Sequence, residues 1–89
     1  MKIRDYEEDA RILKSLAHPT RLKIVDLIRR ESPCVRVMEE ILGLTQSNIS
    51  QHLSLLRNIG IVTAERRGNT VCYRIKNNKV LKLLDALKD

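Results

Sequence analysis

Residues 37–60, VMEEILGLTQSNISQHLSLLRNIG, hold two short apolar-striped segments joined by Gly43-Leu44-Thr45, and this junction constrains the fold more than any other stretch. Gly43 supplies the backbone freedom of a tight turn, Leu44 plugs back into the core, and Thr45 offers its hydroxyl to the first turn of the next helix. The spacing predicts a helix from about Arg36 to Leu42, with Val35, Met38, Ile41 and Leu42 on its buried side. It predicts a second helix over Gln46 to Asn58, with Ile49, Leu53 and Leu56 as the inward stripe. Two helices joined in this way have the form of a helix-turn-helix. The second can rest on a core while presenting Gln, Ser and Asn to base edges in a DNA major groove.

The flanking segments agree with this reading. Tyr6, Ala10, Leu13, Leu16 and Ala17 recur at helical steps between Asp5 and Ala17, with Glu7, Glu8 and Asp9 in the first turn, where the helix dipole favours acids. Pro19 starts a second helix that runs to about Arg30, and Leu22, Ile24, Val25, Leu27 and Ile28 cover most of its circumference, as a central core helix requires. Glu31-Ser32-Pro33 breaks it, and Cys34-Val35 form a brief extended segment before the helix-turn-helix. From Ile61 to Ile75 the period changes to two, with Gly68-Asn69 as the turn of a β-hairpin whose tip reads Arg66-Arg67-Gly68-Asn69. Val80, Leu83, Leu84 and Leu87 then restore helical spacing, and Leu81 adds apolar surface outside that stripe. The expected fold is mainly α with a small β-hairpin, a winged helix-turn-helix of order α1-α2-α3-α4-β-β-α5, with a short strand before α3.

Composition narrows the partners. Eighty-nine residues form a single domain, 1–89, and so short a chain buries only a modest share of its surface, so a second subunit is an expected source of core. The surplus leucines of the last helix suggest a subunit interface there. Seventeen Lys and Arg against 11 Asp and Glu give a net charge of +6, which suits a polyanion. Aromatics are only 2% of the chain, so the stacking platforms of single-strand and RNA binders are missing and duplex DNA is the expected partner. No apolar run approaches the ~20 residues of a membrane span, and the first residues, MKIRDYEEDARI, are charged where a signal peptide is apolar, so a cytoplasmic protein is expected with no membrane partner. No nucleophile-base pair, Gly-rich phosphate loop or carboxylate pair is present, which argues against an enzyme and against a bound cofactor. The competing class is a winged helix used for protein-protein assembly, with incidental basic charge.

Residues that would meet DNA follow from the helical phase. Gln46, Ser47, Ser50, Gln51 and Ser54 lie away from the Ile49/Leu53/Leu56 stripe and are the candidate base readers. Asn48 and Arg57 sit nearer the flanks and face phosphates, and Thr45 opens the same helix. His52 is assigned a phosphate or packing role rather than metal ligation, and His18, just before Pro19, a local cap or packing role. Arg66, Arg67 and Asn69 at the hairpin tip are candidates for phosphate or minor-groove contact.

Several strings resemble the ArsR/SmtB family of small repressors: Leu16-Ala17-His18-Pro19-Thr20-Arg21-Leu22, Thr45-Gln46-Ser47-Asn48-Ile49-Ser50-Gln51-His52-Leu53-Ser54-Leu55-Leu56-Arg57, and the wing followed by Tyr73. The resemblance covers nearly the whole chain. It implies a homodimer paired through its first and last helices, within 1–17 and 77–89, repressing transcription from an inverted-repeat operator until an inducer or oxidant releases it. It also implies where metal would bind: thiophilic-metal members carry Cys-Val-Cys-Asp where this chain has Cys34-Val35-Arg36-Val37, so only the first thiol remains and Arg36 repels cations. The last helix lacks His and has only two acids, so the family's other metal site is also not expected. In a reducing compartment Cys34 and Cys72 are expected as free thiols. In winged helices the segment before helix three commonly pairs with the second hairpin strand. That pairing would bring the two sulfurs together as a dithiol switch.

Overall fold

The structure, a computed structural model, describes residues 5–31 and 33–88. The outer ends of the segments 1–17 and 77–89, and Ser32 in the break after the second helix, lie outside the described residues. Seven elements follow in the expected order: α1 (Tyr6–Leu16), α2 (Pro19–Glu31), α3 (Val35–Leu42), α4 (Gln46–Asn58), β1 (Val62–Arg67), β2 (Thr70–Ile75) and α5 (Asn78–Ala86).

Short polar side chains set the helix starts. Asp5 accepts from the Glu8 N–H at 3.0 Å, Thr45 from the Asn48 N–H at 3.1 Å, and Asn77 from the Lys79 N–H at 2.9 Å. Each satisfies an amide that the helix cannot, a contribution of ~1 kcal/mol apiece. At the other end of α3, Gly43 takes φ 65°, and its N–H closes on the Glu39 carbonyl at 2.9 Å. A side chain there would strain the turn between α3 and α4.

One core holds the elements together. Ile24, Val25, Leu27 and Ile28 of α2 pack with Met38 of α3, Ile49, Leu53 and Leu56 of α4, Ile61 and Val62 at the start of the hairpin, and Val80 and Leu84 of α5. Leu44 is half-buried against the same cluster, as the turn reading expects. Arg29, mostly buried on α2, donates to Asp26 at 2.9 Å and across to Asp85 of α5 at 2.6 Å, and so fastens the last helix to the central one.

β1 and β2 pair antiparallel from Val62↔Ile75 to Arg67↔Thr70, leaving Gly68-Asn69 as a two-residue turn. A further antiparallel bridge joins Cys34 to Cys72, and the Tyr73 N–H donates to the Pro33 carbonyl at 3.1 Å. The extended residue before α3 is therefore pinned to the hairpin. The expected short strand is this single-residue bridge, and α3 begins at Val35, one residue earlier than the spacing predicts.

Two expectations about burial need correction. Ile41 is 54% exposed, because a helix of eight residues turns only Met38 fully inward, with Val35 and Leu42 beside it, and leaves Ile41 on the flank. On α1 the buried residues are Ile12, Ser15 and Leu16, whereas Tyr6 and Leu13 are 66% and 54% exposed. That helix has two apolar faces, and the one carrying Ile12 and Leu16 joins the core cluster.

Leu53→Ala should cost ~2–5 kcal/mol, the usual penalty for emptying a fully buried leucine site. Ile41→Ala should stay within ~0.5 kcal/mol of the parent. Urea unfolding of the three proteins checks both, and a large loss in Ile41→Ala would contradict the exposed placement.

Candidate nucleic-acid interface

Helix α4 turns one stripe fully inward and, apart from the half-buried His52, everything else outward. Ile49, Leu53 and Leu56 are buried, while Gln46, Ser47, Asn48, Ser50, Gln51, Ser54 and Arg57 are all exposed. With about 100° between successive residues, Ser47, Gln51, Ser54 and Asn58 stand opposite the stripe. Gln46, Ser50 and Arg57 form one shoulder, and Asn48, His52 and Leu55 the other. Asn58 was not singled out by sequence reasoning. Its place four residues after Ser54 and seven after Gln51 was the available signal.

Thr45 is exposed, but its hydroxyl oxygen is committed to the Asn48 N–H. It orients the helix before it could meet a ligand. His52 is drawn half inward on its shoulder. Its ring lies edge-on to His18 with centroids 5.0 Å apart, and its Nδ1 accepts from Arg21 Nε at 3.4 Å. Burial holds the His52 pKa below its ordinary value, and the nearby His18 and Arg21 push it in the same direction. His18 in turn accepts the Thr20 N–H on Nδ1 at 3.2 Å, capping the start of α2.

The hairpin tip separates what the sequence presents as a pair. Strand alternation puts Arg66 on the face with Ala64, Val71 and Tyr73, and Arg67 on the face with Glu65, Cys72 and Thr70. Arg67 and Arg74 both approach Glu65, at 3.5 and 3.7 Å. These are exposed, screened pairs of small energetic value, yet they offset part of Arg67's field. Arg66 and Asn69 are exposed at the tip, and Gly68 turns the chain there with φ 63°.

Cys34 and Cys72 are joined as a disulfide, contrary to the expectation of free thiols. The physical reason is the backbone bridge, which sets their Cα atoms 3.8 Å apart, inside the ~7 Å reach of a cystine. Cys72 is buried and Cys34 half-buried at the N-terminus of α3. A cleft of about 330 Å³ beside the bridge is bordered by Cys34, Arg36, Gln46, Asn69 and Thr70. Cys34, the start of α4 and the hairpin tip thus border one small space. Among the described residues, no three His, Cys, Asp or Glu side chains converge as metal ligands would.

This arrangement is an exposed polar helix on a rigid base, with a basic hairpin beside it. The family model described as bacterial regulatory protein, arsR family, matches residues 18–64, more than half of the chain. The chain belongs to the arsR family. Nodulation protein NolR of Rhizobium meliloti is 40% identical over 88 residues, covering 99% of this chain and 72% of NolR. Transcriptional repressor PagR of Bacillus anthracis is 41% identical over 86 residues, covering 92% of this chain and 86% of PagR. The solution structure of a homodimeric winged helix-turn-helix DNA-binding domain from Mycobacterium bovis superposes with a TM-score of 0.84 at 30% identity, over 92% of this chain and 76% of that one. As an arsR-family member with a winged helix-turn-helix fold, the chain is a transcriptional regulator, and α4 is the second helix of its helix-turn-helix.

Because the folded state holds His52 below its ordinary pKa, the unfolded chain takes up that proton first as pH falls through about 6.5. Stability should be full above that pH and decline below it. Thermal melts at about pH 7.5 and about pH 5.5 should show a larger acid loss in the parent than in His52→Gln. Equal losses would remove His52 from the account.

Proposed function

We propose that the chain is a homodimeric repressor that binds an inverted-repeat operator in duplex DNA and is released by thiol oxidation or a small molecule rather than by a metal. The observation that carries this reading is the row Ser47, Gln51, Ser54 and Asn58, held outward by a fully buried stripe in a net-basic chain of the arsR family. Gln51 can pair bidentately with adenine, and the serines can serve either base type. The phosphate contacts that fix register come from Asn48, Arg57 and the wing. A regulator acting on the chromosome works in the cytoplasm, and no helix among the described residues is long and apolar enough to cross a membrane.

Dimerisation is supported by the unburied side of the terminal helices. Tyr6, Leu13 and Leu87 are exposed, and an apolar cleft of about 440 Å³ lies between α1 and α5, lined by Ile12, Leu13 and Leu83 with Asp9, Lys79 and Lys82 at its rim. A second copy would cover these groups and place two recognition helices one duplex turn apart. The homodimeric state named for the Mycobacterium bovis relative favours the same arrangement.

The disulfide supports oxidation as the releasing signal. Joining two thiols removes two electrons and two protons, supplied here to an oxidant such as diamide, and ties β2 to the residue just before α3. The wing tip is then held against the start of α4 beside Gln46 and loses the freedom to settle onto the duplex. On reduction Cys34, at a helix N-terminus and near Arg36, is suited to form a reactive thiolate.

Selection from genomic fragments should return a palindrome with half-site centres ~10 bp apart. Affinity for it should fall steeply with salt. Gln51→Ala should cost ~1–3 kcal/mol of discrimination at one position of each half-site, whereas Arg66→Ala should weaken all duplexes alike. Arg67→Ala should do so less, since Glu65 already offsets its charge. Fragments without a shared inverted repeat would defeat the repressor reading.

Diamide should weaken operator binding by the parent but not by Cys34→Ser or Cys72→Ser. Equal sensitivity in the double serine variant would reject the thiol mechanism and leave a small molecule as the signal.

A further inference from the structure

Arg21 occupies an unusual position. It lies in the first turn of α2, a turn without acidic residues, where the helix dipole disfavours a cation. Its guanidinium meets two neutral acceptors: Nη1 donates to the Ser15 carbonyl at 3.2 Å, and Nε donates to His52 Nδ1 at 3.4 Å. Ser15 belongs to the last turn of α1 and His52 to α4, so one side chain braces the recognition helix against two others. His52 immediately follows Gln51 in the chain.

We propose that Arg21 is a positioning residue that sets the recognition helix through His52, and that this contact makes operator selection acid-sensitive. The inference rests on the operator-binding reading and deepens it. An Nδ1 that accepts a hydrogen bond requires neutral imidazole with its proton on Nε2. A protonated ring has no acceptor left, so the Arg21 Nε–H loses its partner and two like charges face each other. The charged groups facing His52 are Arg21 from α2 and His18 from the α1–α2 junction, both cationic or able to become so. Neither relieves the conflict. With the brace released, the base-reading row shifts relative to the core, while phosphate contacts, which tolerate small displacements, persist. Acid therefore lowers selection of the operator over other sequences without lowering general affinity for duplexes.

The test compares affinity for the selected operator with affinity for a scrambled duplex, at fixed salt, at about pH 7.5 and about pH 5.5. Taking the ratio removes the uniform electrostatic gain that any protonation brings. In the parent the ratio should fall ~5–10-fold on acidification, the scale of one lost charge-assisted hydrogen bond partly screened by water. Arg21→Ala should show the lowered ratio at both pH values. His52→Gln offers Arg21 an amide oxygen that does not titrate, so it should keep the high ratio at both. It deletes no hydrogen bond, and so keeps the test standing should Arg21→Ala fold poorly. A parental ratio and slope in Arg21→Ala, or a parental slope in His52→Gln, would overturn the inference. If the parent prefers no duplex even at about pH 7.5, the operator reading falls, and this inference with it.

Discussion

The burial of Ile49, Leu53 and Leu56 on one core is the constraint from which the rest of the molecule follows. An α-helix that commits three side chains at spacings of three and four has no rotational freedom left. Every other position on it then has a fixed direction. Gln51 and Ser54 point outward because Leu53 points inward. Gly43 and Thr45 secure the same outcome at the helix start, one by ending α3 in a left-handed residue and the other by capping α4. Reading of DNA by a helix needs this rigidity, since bidentate pairing with a base edge tolerates little misplacement.

A second constraint acts between elements rather than within one. The Cys34↔Cys72 bridge makes the start of α3 a neighbour of the hairpin's middle, so the wing is not an independent arm. Gln46 and Asn69 border the same cleft as Cys34. On the opposite shoulder of α4, His52 is held by Arg21 from α2. Helix α4 thus starts beside a cleft bordered by one half of the cystine and is held on one shoulder through a neutral imidazole. Each is sensitive to a different solution variable, redox state for the first and proton concentration for the second.

Much of this was legible in the sequence, and the parts that were not share a cause. Element order, the bounds of α4 and the two-residue hairpin turn could be read because each rests on local rules: helical spacing, a Thr cap, a Gly-Asn pair. The placement of Cys34 beside Cys72 was reachable through the general pairing habit of winged helices, but their bonding was not, since it depends on Cα separation. Ile41 was misplaced because periodicity identifies an apolar side without saying how wide the covering partner is, and α3 meets the core through little more than Met38. Arg66 and Arg67 read as one basic tip. Only the strand register shows that they face opposite ways and that Glu65 sits with one of them. Arg21 gave no signal beyond its place in the Leu16–Leu22 string, because its contacts to Ser15 and His52 join three separate helices.

The terminal helices carry the same argument to the surface. A chain of 89 residues could have buried Leu13 and Tyr6 against itself by rotating α1, at no cost in covalent geometry. It instead turns Ile12 and Leu16 inward and leaves Leu13 and Tyr6 exposed, while Lys79 of α5 pairs with Asp9 of α1 at 3.0 Å at the edge of the intervening cleft. Rotating α1 to hide Leu13 would expose Ile12 and Leu16, whose burial joins this helix to the core. The exposed apolar side is therefore a consequence of having two apolar sides and one core. In a symmetric pair the surface covering that side is the same face of a second copy, so the residues left over from folding are those available for assembly.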